Sequence, residues 1–93
     1  MLGEKLKELR ESKGLLQRQV AAELDVDTAY ISKMENNDKP VSKEHLKKIS
    51  TLLGVPENDL LPLWVGEKVK RVIKNEKFGK QALEIVLKEL SNG

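Results

Sequence analysis

The chain has 93 residues, 39% hydrophobic, 34% charged and 3% aromatic; that is one small domain whose core must be built from Leu, Ile, Val and Ala. It has no cysteine, which excludes disulfides, thiolate zinc sites and cysteine nucleophiles and fits a reducing cytoplasm; its single histidine leaves no metal cluster and no histidine-based triad with an obvious base. Lys+Arg 17 against Asp+Glu 15 leave a net charge of +2, too small an excess to identify a nucleic-acid binder, so function must be sought in residue spacing.

With one exception Gly and Pro fall between periodic segments, and no stretch alternates with period two, so the expected fold is all-α. Leu2, Leu6 and Leu9 make one face of a helix over Leu2–Lys13, with Gly14 as its stop. Gln17–Leu24 puts Val20, Ala21 and Leu24 on one side; Asp25 can close it in the left-handed conformation and Asp27 can cap the next helix. The third segment runs from Thr28 to Asn36 or Asn37, with Ile31 and Met34 inward and Tyr30 beside them, before the turn Asn36-Asn37-Asp38-Lys39-Pro40. Ser42 N-caps a fourth helix that carries Leu46, Ile49, Leu52 and Leu53 and stops at Gly54. Pro56 begins a fifth, with Glu57 and Asp59 in its first turn. Pro62 predicts a short turn over residues 57–61 and a kink or restart at the proline. Val65, Val69, Val72 and Ile73 then form an apolar stripe. Phe78-Gly79 breaks the pattern, and a last helix, Lys80–Leu90, carries Leu83, Val86, Leu87 and Leu90.

The informative stretch is residues 17–36, QRQVAAELDVDTAYISKMEN. Two helices of about eight residues flank a three-residue turn. Short helices meeting steeply need a small residue where they cross, here Ala21, an apolar residue in the turn, Val26, and apolar anchors on both, Val20, Leu24, Ile31 and Met34. The outer face of the second helix is left free to enter a DNA major groove.

In these features the chain resembles the helix-turn-helix regulators of the lambda-repressor, Cro and XRE-like family over residues 2 to about 61. The resemblance rests on the LKELRESKGL opening, Gln17 and Ala21, the YISKMEN segment, and Pro40-x-Ser42 with the LKKISTLLGV block. It implies a compact bundle of four to five helices that binds operator DNA as a homodimer, with residues 28–36 as the recognition helix. Carried over by position, Thr28, Ala29, Ser32 and Lys33 become base contacts, and Gln17, Arg18, Tyr30, Asn36, Lys39 and Lys43 phosphate contacts. Arg10 and Glu35 match a structural ion pair between the first and recognition helices. Three residues depart from the pattern. Leu16 stands where a Ser or Thr cap is usual, Asp25 replaces a turn Gly, and Asp27 brings negative charge near the expected phosphates, either as a cap or to accept from a cytosine amino group.

Residues 1–61 are accordingly expected to form the DNA-binding domain and residues 62–93 a dimerisation extension, through Trp64, Val65, Val69, Val72, Leu83, Val86, Leu87 and Leu90. Two apolar stripes lie beyond a bundle already complete at four or five helices, and a symmetric partner would cover them. Residues 1–36 carry six Lys or Arg against seven Asp or Glu, and residues 37–93 eleven against eight. The densest basic run is Lys68, Lys70, Arg71, Lys74, Lys77 and Lys80, read first as a solvated helix face. His45 reads as a surface or capping residue. No paired carboxylates, nucleophile with its base, metal cluster or phosphate loop is present, so neither enzyme activity nor a metal or cofactor is expected. No apolar run is long enough to span a membrane and no signal-peptide pattern opens the chain. The expected partners are double-stranded DNA and a second copy, in the cytoplasm, with no small-molecule ligand. Regulators of this kind and size include phage repressors, antitoxins and restriction-modification controllers. The controller reading is favoured because the chain holds little besides the bundle and the dimer helices. The alternative is an antitoxin or other interaction module whose C-terminal helices bind a different protein.

Overall fold

In the computed structural model, which describes residues 1–92, six helices follow one another. They are α1 (Leu2–Ser12), α2 (Gln17–Leu24), α3 (Thr28–Glu35), α4 (Lys43–Leu53), α5 (Glu57–Ile73) and α6 (Gly79–Asn92). Every regular element among the described residues is helical, as the periodicity predicts.

The first four helices stop by the same device. Gly14, Asp25, Asn37 and Gly54 each take a positive φ, between 56° and 68°. The next residue's N–H then reaches back five positions: Leu15 to the Arg10 carbonyl, Val26 to Ala21, Asp38 to Lys33 and Val55 to Ser50, all at 2.8–3.1 Å. This satisfies carbonyls that the end of a helix leaves free. Glycine takes the conformation without strain at two of these positions. Asp25 and Asn37 do so as the short polar side chains that tolerate it best.

The core draws on the first five helices. Leu2 and Leu6 of α1, Val20, Ala21 and Leu24 of α2, Ile31 and Met34 of α3, Leu46, Ile49 and Leu53 of α4, and Leu60 of α5 are buried together with Val41. These are mostly the apolar positions whose spacing defined the helices. Leu9, Val26, Tyr30 and Leu52 pack at its edge.

At Pro62 the sequence expectation is corrected. α5 is one helix from Glu57 to Ile73 with Pro62 inside it, not a turn followed by a restart. The proline is the sixth residue of the helix. Its missing N–H leaves one carbonyl, that of Asn58, without its helical donor, close to the open N-terminal end. Leu60, Leu61, Leu63 and Trp64 on both sides of it pack on the core and hold the backbone helical. Trp64, expected in a dimer contact, is half-buried against its own core, and its indole N–H donates to the Val41 carbonyl at 2.6 Å. Lys68 Nζ lies 3.8 Å from the ring centroid, a cation–π contact.

α6 starts at Gly79, one residue before its expected start, and runs to Asn92. Gly79 is buried against the end of α5, where a Cβ would fall 2.4 Å from the Ile73 carbonyl oxygen. From Lys80 to Asn92 every residue is exposed. No helix among the described residues is long and apolar enough to cross a membrane.

Candidate nucleic-acid interface

α2 and α3 pack at their crossing through Ala21, which is 3% exposed beside the buried Val20 and Leu24. Ile31 and Met34 turn the inner side of α3 into the core. Thr28, Ala29 and Lys33 are therefore left on its solvent side, with Ser32 half-buried between the two faces. Asp27 N-caps α3: its Oδ1 accepts from the Tyr30 N–H at 2.9 Å. Of the two roles open to Asp27 in the sequence, the cap is the one formed. Its carboxylate also offsets the unsatisfied N–H groups at that helix end.

The ion pair matched from the family is formed, and it is part of a larger network. Arg10 Nε donates to Glu35 Oε2 at 2.6 Å and Nη2 to Oε1 at 3.1 Å, a two-pronged contact between α1 and α3. Arg10 Nη1 donates to the Leu15 carbonyl at 2.7 Å, which ties in the loop before α2. Gln17, the first residue of α2, donates its amide to Glu35 Oε1 at 3.0 Å. One buried carboxylate therefore fixes the start of α2 relative to the end of α3. The hydrogen bond from Arg10 to Glu35 holds the guanidinium above its ordinary pKa. A primary amide carries two N–H donors, and one of those of Gln17 is engaged by Glu35.

The C-terminal end of α3 is pinned a second time. Asn37 accepts from the Gly3 N–H at 2.8 Å and donates to Glu4. Gly3 sits so close to α3 that a Cβ would lie 2.5 Å from the Glu35 carbonyl and 2.7 Å from that of Met34. The sequence placed Asn37 at the end of the third segment or in the turn after it. Its signal was present: an Asn directly after a helix is a frequent left-handed terminator. The Gln17–Glu35 link carried no sequence signal.

The remaining expected phosphate contacts surround this frame. Arg18, Asn36, Lys39 and Lys43 are exposed and Tyr30 is half-buried. Tyr30 meets His45 edge to face, with ring centroids 5.9 Å apart. His45 lies in the first turn of α4, where Ser42 Oγ accepts its backbone N–H at 3.0 Å. Leu16 occupies the N-cap of α2 with φ −88° and ψ 153° but supplies no side-chain acceptor. Gln19 accepts the Leu16 N–H at 2.7 Å, so only half of a capping box is made.

The helix-turn-helix family profile matches residues 6–60. The chain is 44% identical over 59 residues to the control protein C.MunI of Mycoplasma sp., covering 62% of this chain and 80% of that one. It is 39% identical over 62 residues to the control protein C.BamHI of Bacillus amyloliquefaciens, covering 66% and 76%. No solved structure matches the chain. The chain belongs to the helix-turn-helix family, and is an XRE-like DNA-binding regulator of transcription.

Proposed function

We propose that the protein acts as a homodimer on a near-palindromic operator, with α3 of each protomer in the major groove and half-sites about 34 Å apart. The observation that carries this reading is the Arg10–Glu35–Gln17 network. It orients the N-terminus of α2 and the free face of α3 as one rigid unit. Thr28, Ala29, Ser32 and Lys33 meet bases. Gln17, Arg18, Tyr30, Asn36, Lys39 and Lys43 hold the backbone. Residues 62–93 serve dimerisation. The names of the two relatives, both control proteins, favour a controller role over that of phage repressor or antitoxin. Its place of action is the cytoplasm, and it needs no cofactor or small ligand and catalyses no reaction.

The test is selection of bound DNA from a random pool, followed by titration of Lys33→Ala on the selected site. A palindromic consensus with lost preference at one base pair per half-site, at about 1–3 kcal/mol, is the expected result for a base contact. A uniform loss across sequences would move Lys33 to the phosphate set, and selection of no consensus would overturn sequence-specific binding. The exposed apolar residues of α6 also suit the second reading, a module that binds a different protein. Co-purification of a stoichiometric partner would favour it.

A further inference from the structure

Within one chain, α6 covers nothing. Val65, Val69 and Val72 of α5 stay exposed, Val72 by 74%, although α6 comes directly after them. Leu83, Val86 and Leu90 of α6 are exposed too, Leu90 by 74%. The reason is local. The turn after α5 packs Gly79 against Ile73, a residue beside the valine stripe, and so brings α6 to the end of α5 without laying it along that stripe. A helix of 14 residues with no packed face is marginal in water, so a second surface is needed to hold it.

We propose that α6 of one chain packs antiparallel on α5 of a second copy, and reciprocally, so that each protomer's last helix covers its partner's valine stripe. The proposal rests on the homodimer reading above and specifies how that dimer is built. The two stripes match in length: Val65 to Val72 and Leu83 to Leu90 are each seven residue steps apart, about 10.5 Å of helix. In the antiparallel register Val65 faces Leu90, Val69 faces Val86 and Val72 faces Leu83. The same register sets Glu84 beside Arg71, of opposite charge, while Glu67, the position beside Lys88, is buried and held by the Leu2 N–H of its own chain. A parallel register would set Glu89 beside Arg71 but also Lys88 beside Lys70, a like-charge pair the antiparallel register avoids. Made twice, the contact buries six large apolar side chains from each protomer, at the scale of the roughly 800 Å² per partner that a stable interface uses. The comparisons fit an added element, since each match covers a larger share of the relative than of this chain.

The natural chain has no cysteine, which makes a direct test possible. Full-length Val69→Cys and Val86→Cys chains, one isotope-labelled, are mixed, exchanged and oxidised, and the products are identified by mass. The expected result is a mixed covalent dimer at least tenfold in excess of either homotypic product. In parallel, Leu90→Asp, which alters no core residue, should shift the full chain from dimer to monomer mass in light scattering at tens of micromolar, with helical content otherwise kept. A dimer that cross-links only homotypically, or that survives Leu90→Asp unchanged, overturns this arrangement and leaves the homodimer reading intact. A wild-type chain that is monomeric under the same conditions overturns both. Capture of α6 by a different protein in place of a second copy overturns the arrangement as well.

Discussion

Glu35 carries more of the interface than any other single side chain, because it receives hydrogen bonds from both Arg10 and Gln17 while only 6% exposed. Glu35→Ala would leave the Arg10 guanidinium buried with only the Leu15 carbonyl and, at 3.9 Å, the exposed Glu11 carboxylate to face. Removing one partner of a buried pair strands the other charge, so the expected loss is about 3 kcal/mol in urea-induced unfolding. The same variant frees Gln17, and operator affinity should fall further than the fraction unfolded explains. A loss below about 1 kcal/mol, the range of a surface bridge, would mean that the pair is solvated. Leu16 offers the opposite case. Its backbone already has N-cap geometry and its side chain is exposed, yet it brings no oxygen to the free N–H groups of α2. Leu16→Ser should therefore stabilise the protein by about 1 kcal/mol, a rise of roughly 4–8 °C in thermal melting for a domain of this size. No rise would indicate that water already satisfies those groups fully.

At the scale of helices, α1 holds the C-terminal end of α3 twice: through Arg10 on Glu35, and through Gly3 on Asn37. Gly3→Ala would drive a methyl group into the Glu35 and Met34 carbonyls. Backbone oxygens at that distance cannot yield as a side-chain tip can. α1 must therefore shift away from α3, with an expected loss of about 1–3 kcal/mol and weaker operator binding measured at a temperature where the variant is still folded. Wild-type affinity in that variant would show that the α1–α3 spacing does not control α3. The elements themselves were legible because four of the six helices end at residues whose chemistry announces it, Gly14, Asp25, Asn37 and Gly54, and because Leu, Ile and Val at helical spacing name the buried face. Pro62 misled because the sequence reports the proline's lost hydrogen bond but not the tertiary contacts of Leu60 and Trp64 that keep α5 continuous. Trp64 was legible as apolar, but the Val41 carbonyl that turns its indole inward comes from a loop 23 residues away. The Gln17–Glu35 link was hidden for a related reason. It depends on a crossing angle between helices, which spacing constrains only loosely.

For the molecule as a whole, the small net charge of +2 becomes a statement about how DNA is held. Counterion release scales with the number of phosphates neutralised by cations, at a slope of about 0.9 for each in log K against log salt. Neutral donors such as the Gln17 amide position the protein while contributing little to that slope. Of the proposed phosphate contacts, Arg18, Lys39 and Lys43 are the cations, so a dimer presents six. Operator binding tracked by fluorescence anisotropy between about 50 and 200 mM salt should then give a slope no steeper than about −5. The basic run from Lys68 to Lys80 is the competing source of charge, at the far end of α5 and the start of α6. If the dimer directed it to flanking phosphates, the slope would steepen towards about −10 on operators with long flanks and relax on trimmed ones. In the antiparallel α5–α6 arrangement Arg71 is engaged with Glu84 of the second copy, and the dependence on flank length should be correspondingly weaker. One salt titration on two lengths of DNA therefore reads both the contact set and the way the dimer uses its surplus charge.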